Sequence, residues 1–392
     1  MTRPQLIIAA GKEKAVLRRH PWIFSGAVKH TVGDPQEGDV VDVYAADGRW
    51  LATGHYQKES IVCKVLSFDT QQVDKAFFRE RLQSAIAYRE RVGFFSDGET
   101  NVFRMVHAEG DFLPGLVCDW YNGVLVMQAH SVGMHRLFPL FTELFVELLG
   151  THGIKAVFDK SSATVPGGCD DGYLWGIEPE EWEIAELGNR LLINFYEGQK
   201  TGFFIDQREN RELVSRMAKG RRVLNCFGYT GGFSLAALRG GAQYVETVDI
   251  SKKAIGLCDR NVALNFGEEA RHRGVVADVL KYLDTVDDSF DFIILDPPAF
   301  AKSHRNLQQG LKGYRSINQR AMEKIKHGGL LMTFSCSQAV SNEDFQTMCF
   351  TAAALSHKQV RIVRRLPHAM DHPVSIYHPE GEYLKGLLLQ VE

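Results

Sequence analysis

The chain has 392 residues, 45% hydrophobic and 24% charged, with a formal net charge of −3. That length predicts two or three domains, the composition is that of a globular protein, and no apolar run reaches the roughly 18 residues of a membrane span. Residues Met1–Lys12 carry too short an apolar stretch for a secretion signal, and the seven cysteines lack C-x-x-C spacing, which argues against a disulfide framework and against a zinc site. The expectations are a cytoplasmic, reduced location and no metal; the oligomeric state is not readable.

In chain order, short strand-like pieces at 22–24, 39–44, 50–54 and 61–66 are punctuated by Gly38, Asp47-Gly48 and Gly54. They predict a β-barrel-like module over residues 1–72. Residues 1–33 hold Arg3, Lys12, Lys14, Arg18, Arg19 and Lys29 against the single acid Glu13. Such a zone suits a phosphate backbone, with a solvated basic face as the bland alternative. Helical spacing over 74–92 leads into a second module, 73–189, with strands near 102–107, 114–118, 123–129 and 154–158 and a helix near 133–149. It reads as α+β without identifiable chemistry. His107, His130 and His135 have no acid or cysteine at ligand spacing and are read as structural or surface residues.

From 190 to 392 strands and helices alternate: 222–227 with 232–239, 244–249 with 251–264, 291–296 with 309–326, and 330–335 with 342–355. This predicts a mostly parallel, doubly wound sheet. Open α/β sheets hold ligands beyond the carboxyl ends of their strands, so motifs at those ends converge on one pocket. The first is Asn225-Cys226-Phe227-Gly228-Tyr229-Thr230-Gly231-Gly232, with Asp249 ending the next strand where a ribose-binding acid belongs. Asn225 stands where a dehydrogenase fingerprint has its first glycine, which disfavours NAD. Asp278 follows a third strand and reads as an adenine-end contact, as a helix N-cap for 279–283, or as both at once. Upstream, Gly198–Arg208 is an ordinary turn and helix start, or a lid over a cofactor. The remaining strand-end motifs are Asp296-Pro297-Pro298-Ala299-Phe300 and Phe334-Ser335-Cys336-Ser337. A second basic stretch follows the prolines: Lys302, Arg305, Lys312, Arg315, Arg320, Lys324 and Lys326 against Glu323.

The glycine loop, Asp249, Asp296-Pro297-Pro298 and Phe334–Ser337 resemble class I S-adenosylmethionine-dependent methyltransferases. More closely, Lys200–Arg208 and the tail Asp371-His372-Pro373-Val374 with Pro379-Glu380-Gly381-Glu382-Tyr383-Leu384-Lys385-Gly386 resemble the bacterial 23S rRNA cytosine-C5 methyltransferases that carry an N-terminal PUA domain. Arg18–Gly26 is similar to the opening of their PUA module, so the likeness spans the chain. The fold then implied is multidomain: an N-terminal PUA-like β-barrel, a central α+β domain, and a C-terminal Rossmann-like domain over 190–392 whose final strand, 383–391, is antiparallel. The resemblance implies S-adenosylmethionine as methyl donor and RNA, 23S rRNA, as partner. Candidate cofactor-binding residues are Phe204, Asp206, Gln207, Arg208, Asn225, Phe227, Gly228, Tyr229, Thr230, Gly231, Asp249, Ile250, Ser251, Asp278, Val279, Asp296 and Pro297. Candidate RNA-binding residues are Lys12, Arg18, Arg19, Phe300, Lys302, Arg305 and Tyr314.

Carbon 5 of a pyrimidine is a poor nucleophile until a thiolate adds to carbon 6, and Cys336 is the candidate for that attack. The other six cysteines read as structural, with Cys63, Cys118, Cys258 and Cys349 at apolar or helical positions where a buried thiol acts as a small hydrophobe. Asp296 is placed to hydrogen-bond the polar edge of a flipped base, with Phe300 stacking on it or sitting in the core. Two-cysteine RNA methylases carry a cysteine just after the prolines, where this chain has Ala299. The base that takes the carbon-5 proton is unassigned, with His372 and Asp371 as candidates. Competing readings are a guanine N-methyltransferase of rRNA, which needs no nucleophile, a uracil-C5 methyltransferase, and an RNA-binding protein with an inactive methyltransferase fold.

Overall fold

The computed structural model describes residues 3–268, 271–301 and 303–392. The chain forms two compact units, the first made of residues up to Ile184 with Ile193–Ile205 and Met370–Gly381, the second of Ala185–Leu192, Asp206–Ala369 and Glu382–Glu392.

The first unit contains two sheets. One has six strands in the order Trp22–Phe24, Ile61–Ser67, Trp50–Tyr56, Val40–Tyr44, Gln5–Ile8, Val28–Val32. Its core of Leu6, Ile8, Ile23, Val41, Val43, Ala52 and Val65 comes from alternate positions of these strands. The sequence shows four of the six. Val28–Val32 escapes because it is a mostly exposed Val-Lys-His-Thr-Val strand with no apolar face, and Gln5–Ile8 because it has only four residues. The other sheet has five strands, Gly172–Gly176, Ala156–Asp159, Val124–Ala129, Leu116–Tyr121 and Val102–His107 in spatial order. The helix Lys75–Arg91 packs its Phe77, Phe78, Leu82 and Ile86 into that sheet's core. The expected helix 133–149 is two, Val132–His135 and Phe138–Leu148. The break places Pro139 in the first turn of the second helix, where its missing N–H leaves no hydrogen bond unmade.

His135, read from the sequence as structural or surface, has partners that are distant along the chain. Its Nε2 lies 2.7 Å from Asp159 Oδ2, and Cys169 completes a group whose ligand-type atoms all lie within 4.8 Å of one another. The partners are remote in sequence, so spacing along the chain could not show them. The carboxylate is held on both oxygens, since Asp159 Oδ1 accepts from the Ser161 N–H at 3.0 Å.

The second unit is labelled here by its own elements: α1 (Arg208–Met217), β1 (Arg222–Cys226), α2 (Gly232–Arg239), β2 (Tyr244–Asp249), α3 (Lys252–Phe266), β3 (His272–Val276), α4 (Val279–Thr285), β4 (Phe292–Leu295), α5 (Leu307–Lys324), β5 (Gly329–Ser335), α6 (Asn342–Leu355), β6 (Val360–Leu366) and β7 (Lys385–Val391). The sheet order is β3-β2-β1-β4-β5-β7-β6, with β7 antiparallel to both neighbours and the rest parallel. Strands covered on both faces read as unbroken apolar runs, as Phe292-Ile293-Ile294-Leu295 does, each residue fully buried. The sequence missed β6, Val-Arg-Ile-Val-Arg-Arg-Leu, because its arginines hide the strand pattern. They suit an edge strand, where charge blocks pairing with other chains. Asp278 caps α4, as the sequence suggests, and the structure adds Ser251 as the cap of α3 and a capping box of Ser341 with Asp344 for α6. Among the described residues no helix is long and apolar enough to cross a membrane.

Candidate active site

Parallel register brings the carboxyl ends of β1, β2, β4 and β5 level: Cys226 pairs with Val248 and with Leu295, and Leu295 pairs with Thr333. The residues that follow those strands therefore emerge along one edge of the sheet.

After β1 the backbone turns sharply, with positive φ at Phe227 (59°), Tyr229 (46°) and Gly231 (86°). Two of these are not glycine, and such strain persists where surrounding structure enforces it. Close approach enforces the glycines. A Cβ on Gly228 would lie 2.2 Å from Thr247 Cγ2, and one on Gly231 would lie 2.4 Å from Cys258 Sγ. Asp249 staples the loop to β2: Oδ2 accepts from the Tyr229 N–H at 3.0 Å and Oδ1 from the Ser251 N–H at 2.8 Å. Beneath the loop, buried Asn225 donates to Ser234 Oγ (2.9 Å), which shares a hydrogen bond with Thr247 Oγ1 (2.6 Å). Among the described residues, Asn225 Oδ1 and Thr230 Oγ1 are buried without a partner. Unsatisfied buried acceptors and hydroxyls under a glycine loop fit a polar ligand portion docking there. Beside Asp249, Ile250 leaves 72% of its surface exposed, an apolar platform suited to the face of an aromatic ring. These features fit a nucleoside-bearing cofactor.

The other predicted cofactor residues divide. Gln207 donates to Asp296 Oδ1 at 3.1 Å, beyond the end of β4, and Asp206 accepts from the hydroxyl of Tyr383, just before β7, at 2.7 Å. Arg208 is buried 3.9 Å from Glu186, whose carboxylate binds Arg211 through two hydrogen bonds of 2.5 and 2.7 Å. Val279 is buried in the core, Pro297 is buried, and Asp278 accepts from the Lys281 N–H at 3.0 Å as a cap. Phe204 belongs to the first unit, with Lys200 Nζ 4.5 Å from its ring centroid. There Thr201 donates to Asp119 at 2.5 Å and the Phe203 N–H donates to the Tyr121 hydroxyl at 3.2 Å, so the first half of the Gly198–Arg208 segment is pinned by its own fold.

Cys336 follows β5, half-buried, with Sγ 3.9 Å from the Pro297 carbonyl. Cys169, in the first unit, is half-buried too, and the other five thiols are buried. Burial pushes Cys63, Cys118 and Cys226 above the ordinary thiol range, and lifts Cys258 and Cys349 to about 12. Such thiols are inert.

Tyr314 requires correction as an RNA contact. It is fully buried, its hydroxyl lies 2.8 Å from Ser337 Oγ and accepts from the Phe300 N–H at 3.3 Å, and burial raises its pKa. It braces the Phe300 turn from below, with ring centroids 4.7 Å apart. Of the basic stretch, Arg320 pairs with Asp284 and Lys326 with Asp291, whereas Arg305 is exposed; Lys302 lies outside the described residues. Lys12, Arg18 and Arg19 are exposed in the first unit. Arg19 lines a depression there with Phe68, Arg81, Glu109, Phe112 and Tyr377. Asp371 and His372, the candidate bases, are also in the first unit and buried: the Asp371 carboxylate lies 2.8 Å from His372 Nδ1 and accepts from the Arg104 N–H at 2.8 Å. Both oxygens of the Asp371 carboxylate therefore have partners within the first unit. The residue the sequence reading passed over is Lys385, a charged side chain at the head of the apolar strand β7, where a buried lysine is itself a signal.

The family described as S-adenosylmethionine-dependent methyltransferase matches residues 153–379, and a PUA-like domain matches 6–68. Ribosomal RNA large subunit methyltransferase I of Vibrio vulnificus is 39% identical, covering 98% of this chain and 99% of that one. The protein of that name from Escherichia coli is 37% identical, covering 99% of both. A solved Streptococcus mutans structure described as a SAM-dependent methyltransferase superposes with a TM-score of 0.86 at 22% identity over the full length of both chains, a likeness of fold. With its glycine loop, its acid on β2 and its β3-β2-β1-β4-β5-β7-β6 sheet joined to a PUA-like domain, the chain belongs to the S-adenosylmethionine-dependent methyltransferase family, among the relatives named ribosomal RNA large subunit methyltransferase I.

Proposed function

We propose that this enzyme methylates carbon 5 of a cytosine in 23S ribosomal RNA, in the cytoplasm, with Cys336 as the nucleophile. The observation that carries the reading is the half-buried Cys336 thiol 3.9 Å from the Pro297 carbonyl, beside the Asp296 carboxylate's own loop. S-adenosylmethionine, when bound, supplies an electrophilic methyl group on a sulfonium. Asp249 is assigned the ribose diol, Ile250 the adenine face, and the Phe227–Gly231 backbone the amino-acid end. Cys336 adds to carbon 6 of the flipped base, forming the S–C6 bond and turning the ring into an enamine whose carbon 5 is nucleophilic. Asp296, steadied by the Gln207 amide, is assigned the amino edge of cytosine, and Phe300 one face of the ring. Carbon 5 then forms the new C–CH3 bond as the S–CH3 bond of the donor breaks and a neutral thioether leaves; loss of the carbon-5 proton to solvent water or a base restores the C5–C6 double bond and expels the thiolate. In the first unit, Arg19 with the exposed Phe112 and Tyr377 offers cationic and stacking contacts of the kind single-stranded RNA takes.

The test is methyl transfer to undermethylated 23S rRNA by wild type and Cys336→Ala, with mass spectrometry of the nucleosides. Formation of 5-methylcytidine that vanishes in the variant is expected. A methylated guanosine that survives the substitution would sink the reading, and 5-methyluridine would move it to uracil.

A further inference from the structure

Lys385 is 3% exposed although it carries a charge and opens an apolar strand. In the antiparallel ladder its Cα pairs with that of Ser335, and its Nζ donates to the carbonyls of Ser337 and Tyr383, each at 2.7 Å. One lysine thus engages the backbone on both sides of Cys336, through the ladder at 335 and the ammonium at 337. An ammonium carries three N–H donors. Two go to carbonyls, and neither partner is a carboxylate. Burying a cation without an anion is costly unless something nearby supplies negative charge. Burial draws Lys385 from its ordinary 10.5 down to about 8, and the groups that act in the opposite direction, favouring the charged form, are Cys336 and then Glu382.

We propose that Lys385 is the positioning residue that holds Cys336 as a thiolate, its buried ammonium serving as the counter-charge at the end of β5. The proposal rests on the reading of Cys336 as nucleophile. In the step, the S–H bond breaks, the proton leaves to solvent water, and the electron pair stays on Sγ opposite the ammonium. Lys385 keeps its own proton throughout, and when the methylated base is released the thiolate returns to the same partner. Because Nζ is tethered to the Ser337 carbonyl, charge and thiol move as one piece. A guanidinium preserves that charge; a methionine of similar length removes it.

The experiment measures alkylation of Cys336 by iodoacetamide against pH in the full-length protein, followed by peptide mass spectrometry. Half-buried Cys169, in the other unit, serves as the internal reference. Lys385→Met is expected to slow Cys336 alkylation at pH 7 by about tenfold or more, the factor that corresponds to one pKa unit. Its pH midpoint rises accordingly while Cys169 is unchanged, and Lys385→Arg keeps the midpoint near that of wild type. If Lys385→Met does not fold, Lys385→Gln carries the same expectation. An unshifted midpoint in the uncharged variant, or a midpoint in Lys385→Arg as high as in the uncharged variant, overturns the proposal. The two readings fail separately. Cys336→Ala that still forms 5-methylcytidine removes the nucleophile, whereas an inactive Cys336→Ala together with an unshifted midpoint in Lys385→Met removes only the role of Lys385.

Discussion

Gly228 shows how much a single position carries. A tight turn after β1 is legible from the glycines alone, because they let the backbone approach a ligand closely. What forbids any side chain at 228 is Thr247, whose Cγ2 lies 2.2 Å from where a Cβ would stand. Thr247 cannot yield freely, since its hydroxyl is held by Ser234 at 2.6 Å and lies 2.8 Å from His272 Nε2. Gly228→Ala is therefore expected to destabilise the protein by roughly 1–3 kcal/mol, the usual range for overpacking. Urea denaturation measures the loss, and calorimetric titration with S-adenosylmethionine should show weaker binding, because the displaced loop includes the Tyr229 N–H that bonds Asp249. Unaltered stability and affinity would mean the loop relaxes without cost.

At the level of elements, caps and apolar runs are local properties, which is why α3, α4, β4 and β5 are readable from the chain. Asp278 was legible as a cap, and its side chain accepts from the Lys281 N–H. Asp278→Ala should cost about 1 kcal/mol of stability, and Asp278→Ser should recover most of it. If the residue also contacts the cofactor, the serine variant will regain thermal stability without regaining affinity; full recovery of both would confine Asp278 to capping. Strands such as β6 and Val28–Val32 are not readable in this way. They lie at sheet edges, where neighbours supply pairing and no apolar alternation is required.

For the whole molecule, stability in acid is set by groups buried neutral. Burial lowers both His55 and His130 from 6.5 to about 4, with the nearby Lys64 adding to the effect in each case. Between those values the unfolded chain binds protons that the folded chain refuses, so stability falls as pH drops from 6.5 toward 4. The slope is up to about 1.4 kcal/mol per pH unit for each group. His55→Gln and His130→Gln should each flatten the acid limb of denaturation curves; a limb unchanged in both variants would assign the loss to carboxylates instead. No sequence pattern announces this, because the histidines are separated along the chain and become neutral only once folding removes water from around them. By itself the sequence determined the alternating strands and helices, the glycine loop, the acid on β2 and the thiol after β5, since each depends on local periodicity or on a motif at a strand end. The tertiary structure decided which of those residues are available. It buried Tyr314 in the core, fixed Asp371 in a hydrogen-bonded role, joined His135 to Asp159, and brought the Lys385 ammonium to the carbonyl of Ser337, because long-range packing alone determines which distant groups meet and which lose their water.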